Sequence, residues 1–88
     1  AARVVGTSGD ITCARIEHLM KNVAGDDRVH VAREAVCVDM KTSRTALRVD
    51  LPAPGAFVPR RELAFAGGTL AFAQPTDHGI SIQTWRVE

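Results

Sequence analysis

The clearest pattern of hydrophobic and polar positions lies in residues 63–73, which read LAFAGGTLAFA, two copies of LAFA around a Gly-Gly pair. Glycine readily adopts the positive φ angles that a two-residue hairpin turn requires. We therefore predict a β-hairpin over 62–73, with Ala66 opposite Thr69. A loop one residue longer would send the large side chains to opposite faces, so the pattern favours this register alone.

The predicted hairpin has two unlike faces, because successive side chains of a strand point to opposite sides. One face carries leucine and phenylalanine and is predicted to belong to the core. The other, which we call the alanine face, carries short side chains: Ala64, Ala66, Ala71 and Ala73. This smooth face either packs under the predicted helix or the loop at 52–59, or forms a docking surface for a protein partner or a second subunit.

A helix is predicted over residues 9–23. The preceding segment 7–10, TSGD, has the spacing of a capping box. Gly25 is placed to end the helix in a left-handed conformation. The spacing i, i+3, i+4, i+7, typical of one helix face, is shown by Ile16, Leu19, Met20 and Val23.

Strands account for most of the remaining pattern. Apolar and polar residues alternate in 45–51, TALRVDL, as in a half-buried strand, and further strands are predicted near 3–6 and 80–87. The whole chain, 1–88, is thus predicted to be a single α+β domain. Its architecture would be a mainly antiparallel sheet of about five to six strands with the helix packed on one face.

The proline-rich segment 52–59, PAPGAFVP, interrupts the strands. Proline cannot donate to a strand ladder, so this segment is predicted to be a loop or an edge segment. Phe57 and Val58 stand in the middle of it. We include both in the candidate interface, together with the alanine face.

Composition excludes several function classes. The chain has 88 residues, 45% hydrophobic and 24% charged, with a net charge of +1, as in an ordinary globular domain. So small a net charge provides no bulk attraction to a polyanion or an anionic membrane. The longest apolar runs fall short of the roughly 20 residues of a membrane-spanning helix, and we predict no membrane association.

The two cysteines, Cys13 and Cys37, have apolar neighbours and no metal-ligand spacing. Two buried thiols are the favoured interpretation. The alternative is a disulfide that ties the first helix to the sheet. A disulfide would indicate an exported protein, whereas reduced thiols would fit the cytoplasm.

No set of residues in the sequence meets the requirements of an active site. His18, His30 and His78 have no metal-binding spacing, and adjacent carboxylates occur only at Asp26-Asp27, where a turn explains them. We predict no catalytic residue, metal or cofactor. The preferred hypothesis is a non-enzymatic protein-interaction module, that is, an accessory, regulatory or structural subunit or a small secreted protein, bound to a protein partner or to itself.

Two alternatives stay open at this point. The first is a small β domain that binds nucleic acid through arginines, the candidates being Arg44, Arg48, Arg60 and Arg61; acidic residues interleave with them and favour a mixed solvated surface instead. The second is a cofactor-free coupling subunit of a larger enzyme complex. It follows only from a loose resemblance in chain order to the coupling proteins of multicomponent oxygenases, and no motif assigns the chain to a family.

Overall fold

The computed structural model describes residues 1–20, 30–52 and 62–87. These residues form seven β-strands and contain no helix. The strands are β1 (Ala2–Ser8), β2 (Ile11–Met20), β3 (His30–Asp39), β4 (Arg44–Leu51), β5 (Leu63–Ala66), β6 (Thr69–Thr76) and β7 (Gly79–Arg86).

The strands form two antiparallel sheets. One has four strands in the order β1-β2-β3-β4, and the other has three in the order β5-β6-β7. Tight turns join β1 to β2, β3 to β4, β5 to β6 and β6 to β7. Gly9, with a φ of 58°, lies between β1 and β2, and the pair Gly67 and Gly68, with φ of 56° and 75°, joins β5 to β6, as the left-handed region requires.

The core lies where one face of each sheet packs against the other. From the four-stranded sheet it receives alternate residues of β2, β3 and β4, and from the three-stranded sheet it receives the large side chains of β5 and β6. Its buried members are Ile11, Cys13, Ala35, Cys37, Leu51, Phe65, Leu70 and Phe72. The Cα trace extends over 45 × 34 × 17 Å, so the molecule is thin in one direction.

The predicted α+β class is wrong: the described part of the chain is all-β, with seven strands rather than five or six. Strands near 3–6, 45–51 and 80–87 are confirmed as parts of β1, β4 and β7. The chain order of strand, helix and strands is therefore absent from the described residues. The described residues therefore give no support to the resemblance in chain order that suggested a coupling subunit.

The predicted helix over 9–23 is wrong for its described part, where residues 11–20 form β2; residues 21–23 and Gly25 lie outside the described residues. Gly9 and Asp10 form a hairpin turn instead of a helix N-terminus, with Ser8 opposite Ile11. Ile16 and Leu19 do not share a face in a strand, and Leu19 is 79% exposed. Pairing with β1 and β3 outweighs the helical periodicity.

The cysteines form a disulfide, so the favoured interpretation of two free thiols is wrong. Cys13 and Cys37 lie directly opposite each other on β2 and β3, with their Cα atoms 4.0 Å apart. Both are buried, at 1% and 0% exposure. The disulfide joins two strands of one sheet rather than a helix to a sheet.

The two sheets approach most closely where β1 crosses β5. A Cβ atom added at Gly6 would lie 2.7 Å from the carbonyl oxygen of Phe65, well inside van der Waals contact. The Ser8 hydroxyl also accepts a hydrogen bond from the Gly68 amide at 3.1 Å. The absence of a side chain at Gly6 thus sets how near β5 lies to β1.

Replacing Gly6 with alanine is expected to lower the free energy of unfolding by about 1–3 kcal/mol, the usual cost of inserting a methyl group into a tightly packed site. The methyl group must push the backbone of Phe65 away. Urea denaturation measures the loss. Thr7→Ala, at the exposed neighbour in β1, is the control, with an expected change below about 1 kcal/mol. Equal changes in both variants would show that the close approach has no energetic weight.

Candidate protein-interaction surface

The alanine face is present with the predicted register. Ala66 pairs with Thr69 and Ala64 with Ala71, which confirms the hairpin over 62–73. The large side chains point into the core, where Phe65 is 7% and Leu70 0% exposed. The four alanines lie together on the opposite side of the sheet.

β7 enlarges this side of the sheet. Its register places Ile82 opposite Ala73 and Thr84 opposite Ala71, and Ile80 follows two residues before Ile82 on the same side. Ile80 is 73% and Ile82 66% exposed. We call the whole surface the outer face. It consists of Ala64, Ala66, Ala71, Ala73, Ile80, Ile82 and Thr84.

The outer face is open within the described residues. Ala64 and Ala66 are exposed and Ala71 and Ala73 are half-buried, so no described element lies over them. A covering helix, one of the two expected covers, is absent from the described residues. The other expected cover, the loop at 52–59, has only Pro52 among the described residues, and the candidates Phe57 and Val58 lie outside them.

Of the four candidate arginines for a nucleic-acid surface, the structure describes Arg44 and Arg48. Arg48 is exposed on β4, but its Nε lies 3.6 Å from a carboxylate oxygen of Glu34. Arg44 stands opposite Asp39 in the sheet register. Arg60 and Arg61 lie outside the described residues. Arg44 and Arg48 thus each stand near a carboxylate.

His18 and His78 are positioned by different sheets. His18 Nε2 lies 3.3 Å from Glu34 Oε1 on the exposed side of the four-stranded sheet, and His78 lies in the turn between β6 and β7. The described residues contain no group of three or more histidine, cysteine or acidic side chains able to hold a metal ion.

A buried ionic cluster, which the sequence did not predict, lies next to the start of β5. Arg33 Nη1 donates to Glu62 Oε1, and their side chains are 4% and 5% exposed. Arg15 Nη1 donates to the same oxygen at 3.0 Å, and Arg33 also donates to the Pro52 carbonyl from Nη2 at 2.8 Å. Glu62 was expected on a solvated surface. Its burial joins the start of β5 to β2 and β3.

A cleft of about 500 Å³ opens beside this cluster, between β1 and the start of β5. Arg3 and Arg15 supply its cationic groups, and Val4, Val5 and Leu63 supply apolar walls. Arg15 is already bonded to Glu62 and lies 3.5 Å from Glu17. The Arg15 guanidinium is thus already paired with carboxylates of the fold.

Comparisons with protein-family models, with curated proteins and with solved structures find no match to this chain. The described residues contain no helix long and apolar enough to cross a membrane. Among the described surfaces of the molecule, the outer face is the most unusual, because it is apolar and carries the exposed Ile80 and Ile82.

Proposed function

We propose that the chain is a non-enzymatic protein-interaction module that binds a protein partner on the outer face of β5–β7. The single observation that carries the proposal is the open apolar surface formed by the alanine face and the two exposed isoleucines of β7. Water-exposed apolar surface is unfavourable, and contiguous patches of it mark interaction sites. The partner is expected to present a flat apolar surface of its own.

The shape of the outer face supports this class of partner. Alanine at all four hairpin positions lets another protein layer approach the backbone closely, while Ile80 and Ile82 stand higher along one side. Residues of this type lose little side-chain entropy on binding, because alanine has no rotamers to fix. The face therefore needs little reorganisation before it docks.

The buried disulfide indicates where this module works. Disulfides form and persist in oxidising compartments and are rare in the cytosol. With Cys13 and Cys37 joined, we infer that the protein acts outside the cytoplasm. A small secreted or surface-associated interaction protein fits both observations.

Site-specific photo-crosslinking in the cells that make the protein tests the proposal. The probe is p-benzoylphenylalanine in place of Ala64, which is exposed on the outer face. The matched control places it at Ala46, exposed on β4 of the other sheet. A discrete adduct is expected at position 64 and not at 46, and Ala66→Arg should abolish it because the charge interrupts the apolar contact.

The partner protein identified in the adduct is then purified on its own for a direct binding measurement. It should bind the unmodified chain and lose binding to Ala66→Arg, while Ala46→Arg retains it. Circular dichroism should show that both variants stay folded, since both positions are exposed. The same adducts at both probe positions, or none at position 64, would overturn the proposed interface. Unfolding of Ala66→Arg alone would mean that the outer face is part of the core.

A further inference from the structure

The free edge of β7 has unpaired backbone groups in a defined pattern. The Ala73 amide donates toward β5, to the Glu62 carbonyl at 2.8 Å, so Ala73 and its partner Ile82 form a non-hydrogen-bonded pair. The Val87 amide donates inward to the Gly68 carbonyl at 2.8 Å. Odd-numbered residues of β7 thus bond to β6. Even-numbered residues direct N–H and C=O to the free edge, where no described strand pairs with them.

This edge differs from the other sheet edges among the described residues. Natural proteins protect edges with charges, bulges or short strands. β1 has a register shift next to Gly6, β4 carries two arginines and an aspartate, and β5 has only four residues. β7 has eight residues, GISIQTWR, with no proline and no charge before Arg86. It is the unprotected edge.

The edge also lies on an exposed arm. Residues 74–76 of β6 and Gly79–Thr84 of β7 are all exposed, so this end of the hairpin extends past the core. A second strand can reach the edge without displacing any described element.

We propose that β7 pairs in antiparallel fashion with β7 of a second copy of this chain, about a two-fold axis at Ile82. Each three-stranded sheet then becomes half of a continuous six-stranded sheet. The proposal does not depend on a partner bound to the outer face, because it uses the backbone edge.

The sequence of β7 is self-complementary in this register. Ile82 lies opposite Ile82 of the second copy and Ile80 opposite Thr84, so apolar or β-branched side chains meet on the outer face. On the other face Ser81 lies opposite Gln83, and polar groups meet. The three even-numbered pairs have their amides and carbonyls directed outward, and they supply up to about six backbone hydrogen bonds. A two-fold interface of this kind closes on itself.

Sedimentation equilibrium of the intact, oxidised chain tests the pairing. The expected mass is twice the chain mass of 9.5 kDa. Ile82→Lys and Ile82→Glu should each sediment as monomers, because like charges would face each other across the axis. Mixing the two variants should restore a dimer. Ala64→Lys, on the same face but on β5, is the matched control and should stay dimeric.

Ile82→Pro separates edge pairing from contact through the face. Proline keeps an apolar side chain but lacks the outward N–H, which the monomer does not use, so the dimer should be lost while circular dichroism still shows a folded chain. If this variant fails to fold, Ile82→Cys replaces it: spontaneous oxidation should yield a covalent dimer at position 82 and not for Ala64→Cys.

Each sedimentation result either supports or overturns the proposed β7–β7 dimer. Loss of the dimer in Ile82→Lys with rescue by Ile82→Glu supports a two-fold axis at Ile82. A wild-type monomer, a species larger than a dimer, or a dimer that survives both Ile82→Lys and Ile82→Pro would overturn the proposal. Failure here leaves the photo-crosslinking result at Ala64 unaffected, so the two proposals fail separately.

Discussion

Replacing Glu62 with glutamine is expected to lower the free energy of unfolding by about 3 kcal/mol, the lower end for breaking a buried ion pair by removing one charge. Glutamine keeps the volume and one acceptor oxygen. Arg33, only 4% exposed in its side chain, then has a buried positive charge with no carboxylate beside it. A small domain has about 5–15 kcal/mol of total stability, so this loss is large.

Glu34→Gln is the matched control for this prediction. Glu34 also has two basic neighbours, His18 and Arg48, but their side chains are 56% and 64% exposed. Ion pairs with exposed partners contribute about 0–1 kcal/mol, so the control should change little. Urea denaturation at neutral pH measures both variants. Equal losses at Glu62 and Glu34 would mean that burial of the Arg33–Glu62 pair has no special weight.

A double variant identifies the cause of the loss. Arg33→Met combined with Glu62→Gln removes the unpaired charge together with its partner, and part of the lost stability should return. Recovery should be incomplete, because the Pro52 carbonyl loses the donors that Arg33 supplies. If the double variant is no more stable than Glu62→Gln, the loss of stability comes from poorer side-chain packing rather than from an unpaired buried charge.

The hairpin could be predicted because everything that determines it is local. Two glycines set the turn, and the pairing of Ala64 with Ala71 spans few residues. Whether the alanine face is open is a different question, since it depends on what the rest of the chain places over it. The sequence could not decide that, and the described residues leave Ala64 and Ala66 exposed.

The helix was predicted wrongly because both faces of the four-stranded sheet carry apolar residues. Ala14 and Val36, opposite each other, lie on the side away from the core, and Val36 is nevertheless only 6% exposed. Apolar residues on both faces hide the alternation typical of a strand. Residues 11–20 form a strand because they pair with β3. This pairing is not local in the sequence, since the residue opposite Cys13 lies 24 positions away.

The ionic cluster escaped sequence analysis for the same reason. Glu62 and Arg33 are separated by 29 positions, and each stands among other charged residues in the sequence. One signal was available: Arg33 has the same strand parity as Ala35 and Cys37, which places it on their face. Glu62 could not be identified as the partner of Arg33 without knowing that β5 begins next to that face of β3.

Removing the disulfide is expected to cost about 3 kcal/mol. Cys13 and Cys37 close a loop across a sequence separation of 24, and a cross-link of that length restricts the unfolded chain by roughly this amount in the chain-entropy model. The double variant Cys13→Ala, Cys37→Ala should therefore unfold at a lower urea concentration than the oxidised wild type. It also loses the packing of two buried sulfur atoms, which adds to the cost.

Dithiothreitol separates the cross-link from the packing. Unfolding the wild type in its presence should shift the urea midpoint toward that of the double variant, whose own midpoint should not respond to the reductant. Because both cysteines are buried, at 1% and 0% exposure, reduction should require opening of the β2–β3 pair and should be slow without urea. An unchanged wild-type midpoint after confirmed reduction would show that the stability resides in the sheet packing alone, and would remove the main support for a module built for an oxidising compartment.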